Sequence, residues 1–317
     1  MKNFPNAWVY IYLIVQMKGQ NLSKLEQLKN KLTSVKRLTW KPIVGEGDGG
    51  LTASKFGGKP WLNADEEWPI CPNCGKPMQL FLQLNLDELP QNLNTKFGSG
   101  ILQFFYCTNQ IIVEHDTGLF GRTVEECETL MMNLPHDMPI KGRIGVHVDW
   151  EGDIGKVKIL ACEQDCVSDC KGWSPFSRCQ LVRIVKPKNS PVFFETPEIG
   201  NLFEPKLIIG WKEVNDYPNW LEIDDLEIRL DEDEKDFLDE ILMEELHQKG
   251  DKLAGWADWV QYPEYPDCPI CKHPMNQFVF HLESDDNIPY MWGDGGAGYI
   301  VQCSQHQEIV AFFWQCA

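Results

Sequence analysis

"CPNCGKPM", Cys71–Met78, returns in the second half of the chain as "CPICKHPM", Cys268–Met275, with Cys, Pro, Cys, Pro and Met in the same places. Four explanations compete: two metal sites, a duplicated fold, a redox pair, or a mixture. Laying Cys71 on Cys268 helps to decide, because the match runs past the phrase. Lys55 then falls on Lys252, Gly58 on Gly255, Pro69 on Pro266 and Phe81 on Phe278, and Trp68 falls on Tyr265. Deleting one residue also brings Cys107 onto Cys303. Identity over this length, away from the cysteines as well as at them, predicts two structurally equivalent halves around one core.

The phrase itself is metal chemistry. A Cys-Pro-x-Cys turn aims both sulfurs at one ion, and two thiolates are half of a tetrahedral zinc site. The residue after the second Cys often needs a left-handed backbone, which Gly75 adopts freely and Lys272 only at a cost. In the second copy "CSQH" supplies the other half, so the predicted ligands are Cys268, Cys271, Cys303 and His306. Four protein ligands leave no open position, which marks a structural site and not a catalytic one. His273 lies too close to its neighbours to be the natural fourth ligand. In the first copy Cys71, Cys74 and Cys107 match, but Gln110 stands near the place of His306 and is a poor ligand. The fourth must come from elsewhere. Cys162 of "CEQDC" is favoured, Cys166 is the alternative, and Cys170 and His115 lie further out. The expected cofactor is therefore structural zinc, one or two ions. A thioredoxin-like pair would open a helix in a βαβ unit, whereas strand-like text follows both phrases. Cys127, Cys179 and Cys316 read as small buried residues.

In a reducing cytosol the twelve cysteines would not be a disulfide framework, and their Cys-x-x-Cys spacing points to metal first. The apolar run Ala7–Val15 is too short to cross a bilayer, which needs about 20 residues, and it lacks a small-residue cleavage site. A cytoplasmic protein is expected, translated from Met1 or Met17. The net charge of −18 repels phosphate backbones, so nucleic acid is not an expected partner. It leaves a basic protein partner open, or simply confers solubility.

Short apolar runs broken by Gly and Pro favour strands over long helices. "MQLFLQLNL" (78–86) and "GILQFFYC" (100–107) have the composition of buried strands. Residues 143–160 read as two strands around a turn at Glu151–Asp153. Over residues 22–38, Leu22, Leu25, Leu28, Leu32 and Val35 share a helical face, and Ser23 with Glu26 is placed as a capping box. Residues 123–134 read as a short helix capped by Thr123. The clearest helix lies in 231–250, with acids in its first turn, an apolar stripe of Phe237, Leu238, Ile241, Leu242 and Leu246, and Gly250 as its stop. The expected layout is an extension and amphipathic helix over 1–40, then one domain over 41–317 with an insert at 111–160.

Together, "FGGKPWL" (56–62), "WPICPNCGKPMQLFLQLNLDELP" (68–90), "GILQFFYCTN" (100–109), "CEQDC" (162–166), "WSPFSRCQLVRIV" (173–185) and the tail from Met291 to Cys316 resemble the YwqG-like family, a bacterial domain of unknown function. The resemblance covers nearly all the chain after the first helix. It implies a mainly β (α+β) fold of roll type with two pseudo-symmetric halves. In that family the equivalents of "FYCTN" and "CEQDC" lie a few residues apart, which makes the intervening stretch here an insert and brings Cys107 near Cys162 and Cys166. The chain is also distantly similar to programmed cell death protein 2, whose wider group includes chaperones for a basic ribosomal protein. Some bacterial members of the group sit in toxin–antitoxin neighbourhoods. The resemblance thus implies a binding module.

The residues themselves point the same way. A Gly-x-Ser-x-Gly elbow, a Walker loop and a His-Glu-x-x-His helix are all missing, and the best-placed cysteines are explained as closed metal ligands. The expected protein is non-enzymatic and zinc-stabilised, and it binds a protein, as a chaperone of a basic client or as an immunity protein against a toxin. An uncharacterised enzyme is the remaining alternative, and a deep polar pocket with convergent His and acids would favour it. Trp61, Trp256, Trp259, Tyr290 and Trp292, set beside Gly and Pro, are the candidate partner-binding residues, with core packing as the competing role for each.

Overall fold

The computed structural model describes residues 24–72, 74–93, 95–108, 112–114, 145–147, 158–160, 172–188, 195–223, 226, 228–241 and 246–316. A helix α1 (24–31) passes through a tight turn, Leu32–Val35, into the first strand. The first half carries β1 (Arg37–Glu46), β2 (Lys55–Phe56), β3 (Gln79–Asn85) and β4 (Ile101–Tyr106). Then come β5 (Ile112–Glu114), β6 (Gly145–His147), β7 (Lys158–Leu160) and β8 (Gln180–Val185). The second half carries β9 (Lys206–Asp216), the helices α2 (Trp220–Ile223) and α3 (Glu232–Ile241), then β10 (Lys252–Ala254) and β11 (Gln277–Glu283). It closes with β12 (Ala297–Gln302) and β13 (Val310–Gln315). The sheet begins at Arg37, ahead of the boundary expected at residue 41. Among the described residues no helix is long and apolar enough to cross a membrane.

The fold is mainly antiparallel β, as the sequence implies. Ten strands form one sheet in the order β13-β12-β11-β10-β1-β9-β2-β3-β4-β8. The end strands β13 and β8 lie side by side, so the sheet is a nearly closed barrel. Beside this seam Trp314 N donates to Trp173 O at 3.1 Å. The order reads alike from both ends. β1 and β9 pair at the centre, and each then flanks the other half, β1 beside β10 and β9 beside β2. Each half therefore lends its first strand to its neighbour.

The equivalence holds residue by residue. Lys55 faces Gln83 as Lys252 faces His281. β3 bulges at Phe81 against β4, and β11 bulges at Val279 against β12. The register thus places Phe81 on Val279, one residue from the ungapped alignment. Asn276 is the extra residue, inserted between the second Cys-x-x-Cys turn and its strand.

The barrel interior is aromatic. Phe104 stacks on Phe312 at 4.0 Å, joining the halves. The β11–β12 connection sends Trp292 inward, 5.4 Å from Phe81 and 5.0 Å from Phe312. Burial of such rings, each worth several kcal/mol by apolar area at about 25 cal/mol per Å², dominates the stability of this core.

The repeated Lys and Gly form a clamp in each half. Lys55 Nζ lies 2.7 Å from Asp48 Oδ1, and Lys252 Nζ lies 3.0 Å from Asp216 Oδ2. Lys59 N donates to Asp48 Oδ2 at 3.0 Å, and Trp256 N donates to Asp216 Oδ2 at 2.8 Å. Gly58 (φ +75°) and Gly255 (φ +83°) leave room for these carboxylates, because a Cβ would meet them at 2.3 Å and 2.5 Å. Each aspartate follows or ends a central strand, so the clamp ties β1 and β9 to the short strands β2 and β10.

The helices dock outside the barrel. Leu25, Leu28 and Leu32 pack with Tyr217, Phe237, Leu238 and Leu246, which accounts for the predicted apolar stripes. α3 begins with a capping box: Glu234 N donates to Asp231 Oδ1 at 2.9 Å and Asp231 N donates to Glu234 Oε2 at 3.0 Å. Within the expected insert, β5, β7 and β6 form a separate sheet, and β6 pairs with β7 as the predicted hairpin requires. Leu22, Ser23, Leu242 and the predicted helix at 123–134 lie outside the described residues.

Candidate metal centres

Both Cys-x-x-Cys turns are the same short ribbon. Cys71 N donates to Lys76 O at 2.8 Å and Cys268 N to His273 O at 2.9 Å. Gly75 N returns to Cys71 O at 2.8 Å and Lys272 N to Cys268 O at 2.9 Å. Gly75 (φ +68°) and Lys272 (φ +61°) both take the left-handed backbone that the spacing predicts. The repeated methionines fasten each ribbon to the outer face of its sheet. Met78 packs with Leu80 and Phe105, and Met275 packs in the cluster of Phe278, Tyr299 and Val301.

In the second half the ribbon faces the β12–β13 turn. The ligand atoms of Cys268, Cys271, Cys303 and His306 all lie within 4.8 Å of one another. Cys271 and Cys303 Sγ are 3.6 Å apart, and His306 Nδ1 lies 3.6 Å from Cys303 Sγ and 3.8 Å from Cys268 Sγ. A tetrahedral ion with metal–sulfur bonds of about 2.3 Å has edges of about 3.6–3.8 Å. Donor set and spacing therefore fit one metal ion with no rearrangement, and sulfurs this far apart are not a disulfide, which needs about 2.05 Å. Burial raises the Cys268 thiol, but the N–H groups of Cys271 and Ile270 and the neighbouring thiols outweigh it and hold it well below the usual thiol range. That favours the thiolate a metal requires.

In the first half Cys71, Cys74 and Cys107 form the matching cluster, with Cys74 and Cys107 Sγ 3.6 Å apart. The register shows where the fourth position falls. Cys303 N donates to Ile309 O at 3.0 Å, closing the turn that holds His306, and Cys107 N makes the same bond to Cys179 O at 2.9 Å. Cys179 thus stands where Ile309 stands, and the five-residue turn of the second half is replaced by the whole stretch 108–178. The place of His306 falls inside that stretch, which includes Cys162 and Cys166. Both lie outside the described residues, as do Cys170 and His115.

A family model matches residues 54–312. The chain belongs to DUF1963, a domain of unknown function. No curated protein matches it. The DUF1963 region starts just before β2 and ends within β13, so it contains both clusters but not β1, the strand that completes its second half.

The aromatic residues expected to line a partner groove are mostly turned into the core of this DUF1963 fold, although Trp259 and Tyr290 each border a surface depression. Trp61, Trp256, Trp259 and Trp292 are buried and Tyr290 is half-buried. Their polar edges are used internally: Trp256 Nε1 donates to Val35 O at 2.8 Å and Trp259 Nε1 to Glu222 Oε1 at 2.7 Å. Tyr290 and Trp292 plug the barrel. Only Trp256 and Trp292 adjoin a glycine, Gly255 (φ +83°) and Gly293 (φ +59°), whose left-handed backbone turns the chain at these two rings. Four other residues of the second half, His247, Asp258, His281 and Glu283, converge in space although no motif links them, since they come from separate segments. The depression beside them is open and lined by the two carboxylates, while both imidazoles are shielded from solvent, so it differs from the deep pocket of convergent His and acids that would favour an enzyme.

Proposed function

We propose that this DUF1963 protein is a non-catalytic, zinc-stabilised binding module of the cytoplasm whose partner is a basic protein segment. The observation that carries this reading is the closed donor set of Cys268, Cys271, Cys303 and His306. Three thiolates and an imidazole suit zinc, and four protein ligands leave no position for a substrate. A second zinc at Cys71, Cys74 and Cys107 would take its fourth ligand from Cys162, with Cys166 as the alternative. Both ions would pin a ribbon to the barrel. The likeness of the motifs to the YwqG-like family and to programmed cell death protein 2 supports a binding role, and the net charge of −18 favours a basic partner.

Elemental analysis of protein purified without added zinc tests the metal. About two equivalents are expected, falling by one in Cys303→Ser; protein free of metal would refute it. Affinity capture at low and high salt tests the partner. A basic protein held at low salt and released at high salt is the expected result, and capture of acidic or neutral proteins alone would refute it.

A further inference from the structure

The two halves share a scaffold but not a chemistry. Sequence alignment and strand register place Trp61, Gln83, Asn85 and Gln103 at the positions of Asp258, His281, Glu283 and Tyr299. In the first half these residues are neutral and their amides are used. Gln83 Oε1 accepts from Trp61 N at 2.8 Å and from Gln103 Nε2 at 3.0 Å, and Gln83 Nε2 donates to Leu51 O at 2.8 Å and Ala53 O at 2.9 Å. In the second half all four positions carry ionisable groups. The first half shows that the fold does not require them.

Asp258 and Glu283 line an open depression of about 1020 Å³, whose wall includes Trp259, the exposed Tyr262 and, as the opposing charge, the exposed Lys249. A buried imidazole backs each carboxylate. His247 Nε2 lies 3.1 Å from Asp258 Oδ1 and His281 Nε2 lies 3.2 Å from Glu283 Oε2, both rings being wholly shielded from solvent. Yet His247 Nε2, pointed at the Asp258 carboxylate, makes no aligned hydrogen bond, and His281 Nδ1 makes none either. Buried polar atoms are rarely left so, and here two cluster behind one cavity wall. Burial pushes Asp258 up, but the close charge contact with His247, together with His281 and Lys252, brings it down to about 2. The Tyr299 hydroxyl donates to Asp258 O at 2.8 Å and accepts from Val260 N at 3.1 Å, fixing the segment that presents the carboxylate.

We propose that this depression binds an organic cation, an ammonium or guanidinium group, between the carboxylates of Asp258 and Glu283 and beside Trp259 and Tyr262. Carboxylates match a guanidinium fork, and the exposed Tyr262 ring can add cation–π attraction. A metal ion is a poorer occupant, since among the described residues only the two cysteine clusters bring enough ligand atoms together. The proposal rests on the reading of the protein as a binder and names the seat of a basic side chain. The cation has two chemical sources, a partner peptide or a free small amine.

The test is binding to the intact, metal-loaded chain at low salt. A fluorescent oligo-arginine peptide, an oligo-glutamate peptide of equal length and arginine amide are the probes. The oligo-arginine peptide is expected to bind, arginine amide to displace it, and oligo-glutamate to do neither. Glu283→Gln and Asp258→Asn should each weaken binding by about tenfold or more. Glu232→Gln, which removes one charge from an exposed site on α3, should leave it unchanged. Glu283 is half-exposed, so Glu283→Gln remains decisive where Asp258→Asn does not fold. Equal binding by Glu283→Gln, equal loss in Glu232→Gln, or no binding of any cationic probe overturns the site. If Glu283→Gln still captures a basic partner at full strength, the site falls and the binder reading stands. If arginine amide alone binds, the site stands and the peptide reading falls.

Discussion

Lys55 and Lys252 occupy one position of a repeated scaffold, yet they stand in different electrostatic surroundings. Both side chains are wholly buried. The partner of Lys252, Asp216, is also wholly buried, whereas the Asp48 side chain keeps 30% of its surface in water. Removing one member of a fully buried pair strands the other as an unpaired charge, at a cost of about 3–5 kcal/mol. A carboxylate with access to water can be resolvated instead, and the loss falls toward the surface-pair range of about 1 kcal/mol. Lys252→Met should therefore lower the unfolding free energy in urea by at least about 2 kcal/mol more than Lys55→Met. Equal losses would mean that the two clamps are energetically alike despite their exposure. The alignment reveals that these lysines recur, but not why. A lysine beside a polar residue reads as a surface residue, and its aspartate lies 7 residues away in the first half but 36 away in the second, so no common spacing marks the pair.

The Cys-x-x-Cys ribbon is the element whose local chemistry dictates its form most completely. Two copies of one turn use Gly75 at φ +68° and Lys272 at φ +61°. A side chain in the left-handed region costs about 1 kcal/mol that glycine avoids. Nothing lies within 4 Å of a Cβ built on Gly75, so the difference is conformational and not steric. Lys272→Gly should raise stability by about 0.5–1 kcal/mol and Gly75→Lys should lower it by a similar amount, measured by thermal unfolding of the metal-loaded protein. A destabilised Lys272→Gly would show that the lysine makes a compensating contact. Turn, ligand spacing and helix stripes are legible because each is set by neighbours in sequence. The roles of the aromatics are not, because a Trp beside glycine can face water or the core, and only the tertiary fold directed Trp61, Trp256, Trp259 and Trp292 inward. The site at Asp258 and Glu283 was illegible for the same reason: its imidazoles approach from residue 247 and from β11.

At the scale of the molecule, the duplicated phrase announces two halves but not their exchange of strands. The alignment begins near Lys55, after β1, and strands β1 and β9 are too unlike in sequence to reveal that they change places. The exchange has an energetic consequence. β10 has β1 as a neighbour and β2 has β9, so neither half completes its sheet from its own strands. The shared interior reinforces this, with Phe104 stacked on Phe312 and Trp292 packed on Phe81. The barrel should then open as one cooperative unit. Met275→Ala, which cuts a buried side chain in the second half only, should lower stability by about 2–5 kcal/mol. Hydrogen exchange read by mass spectrometry would locate the effect. Amides of β3 and β4 should lose as much protection as those of β11 and β12, although no strand of the first half touches the altered ribbon through its own ladder. Loss confined to β11 and β12 would mean that the halves unfold separately, and that the exchanged strands merely adjoin two independent folding units.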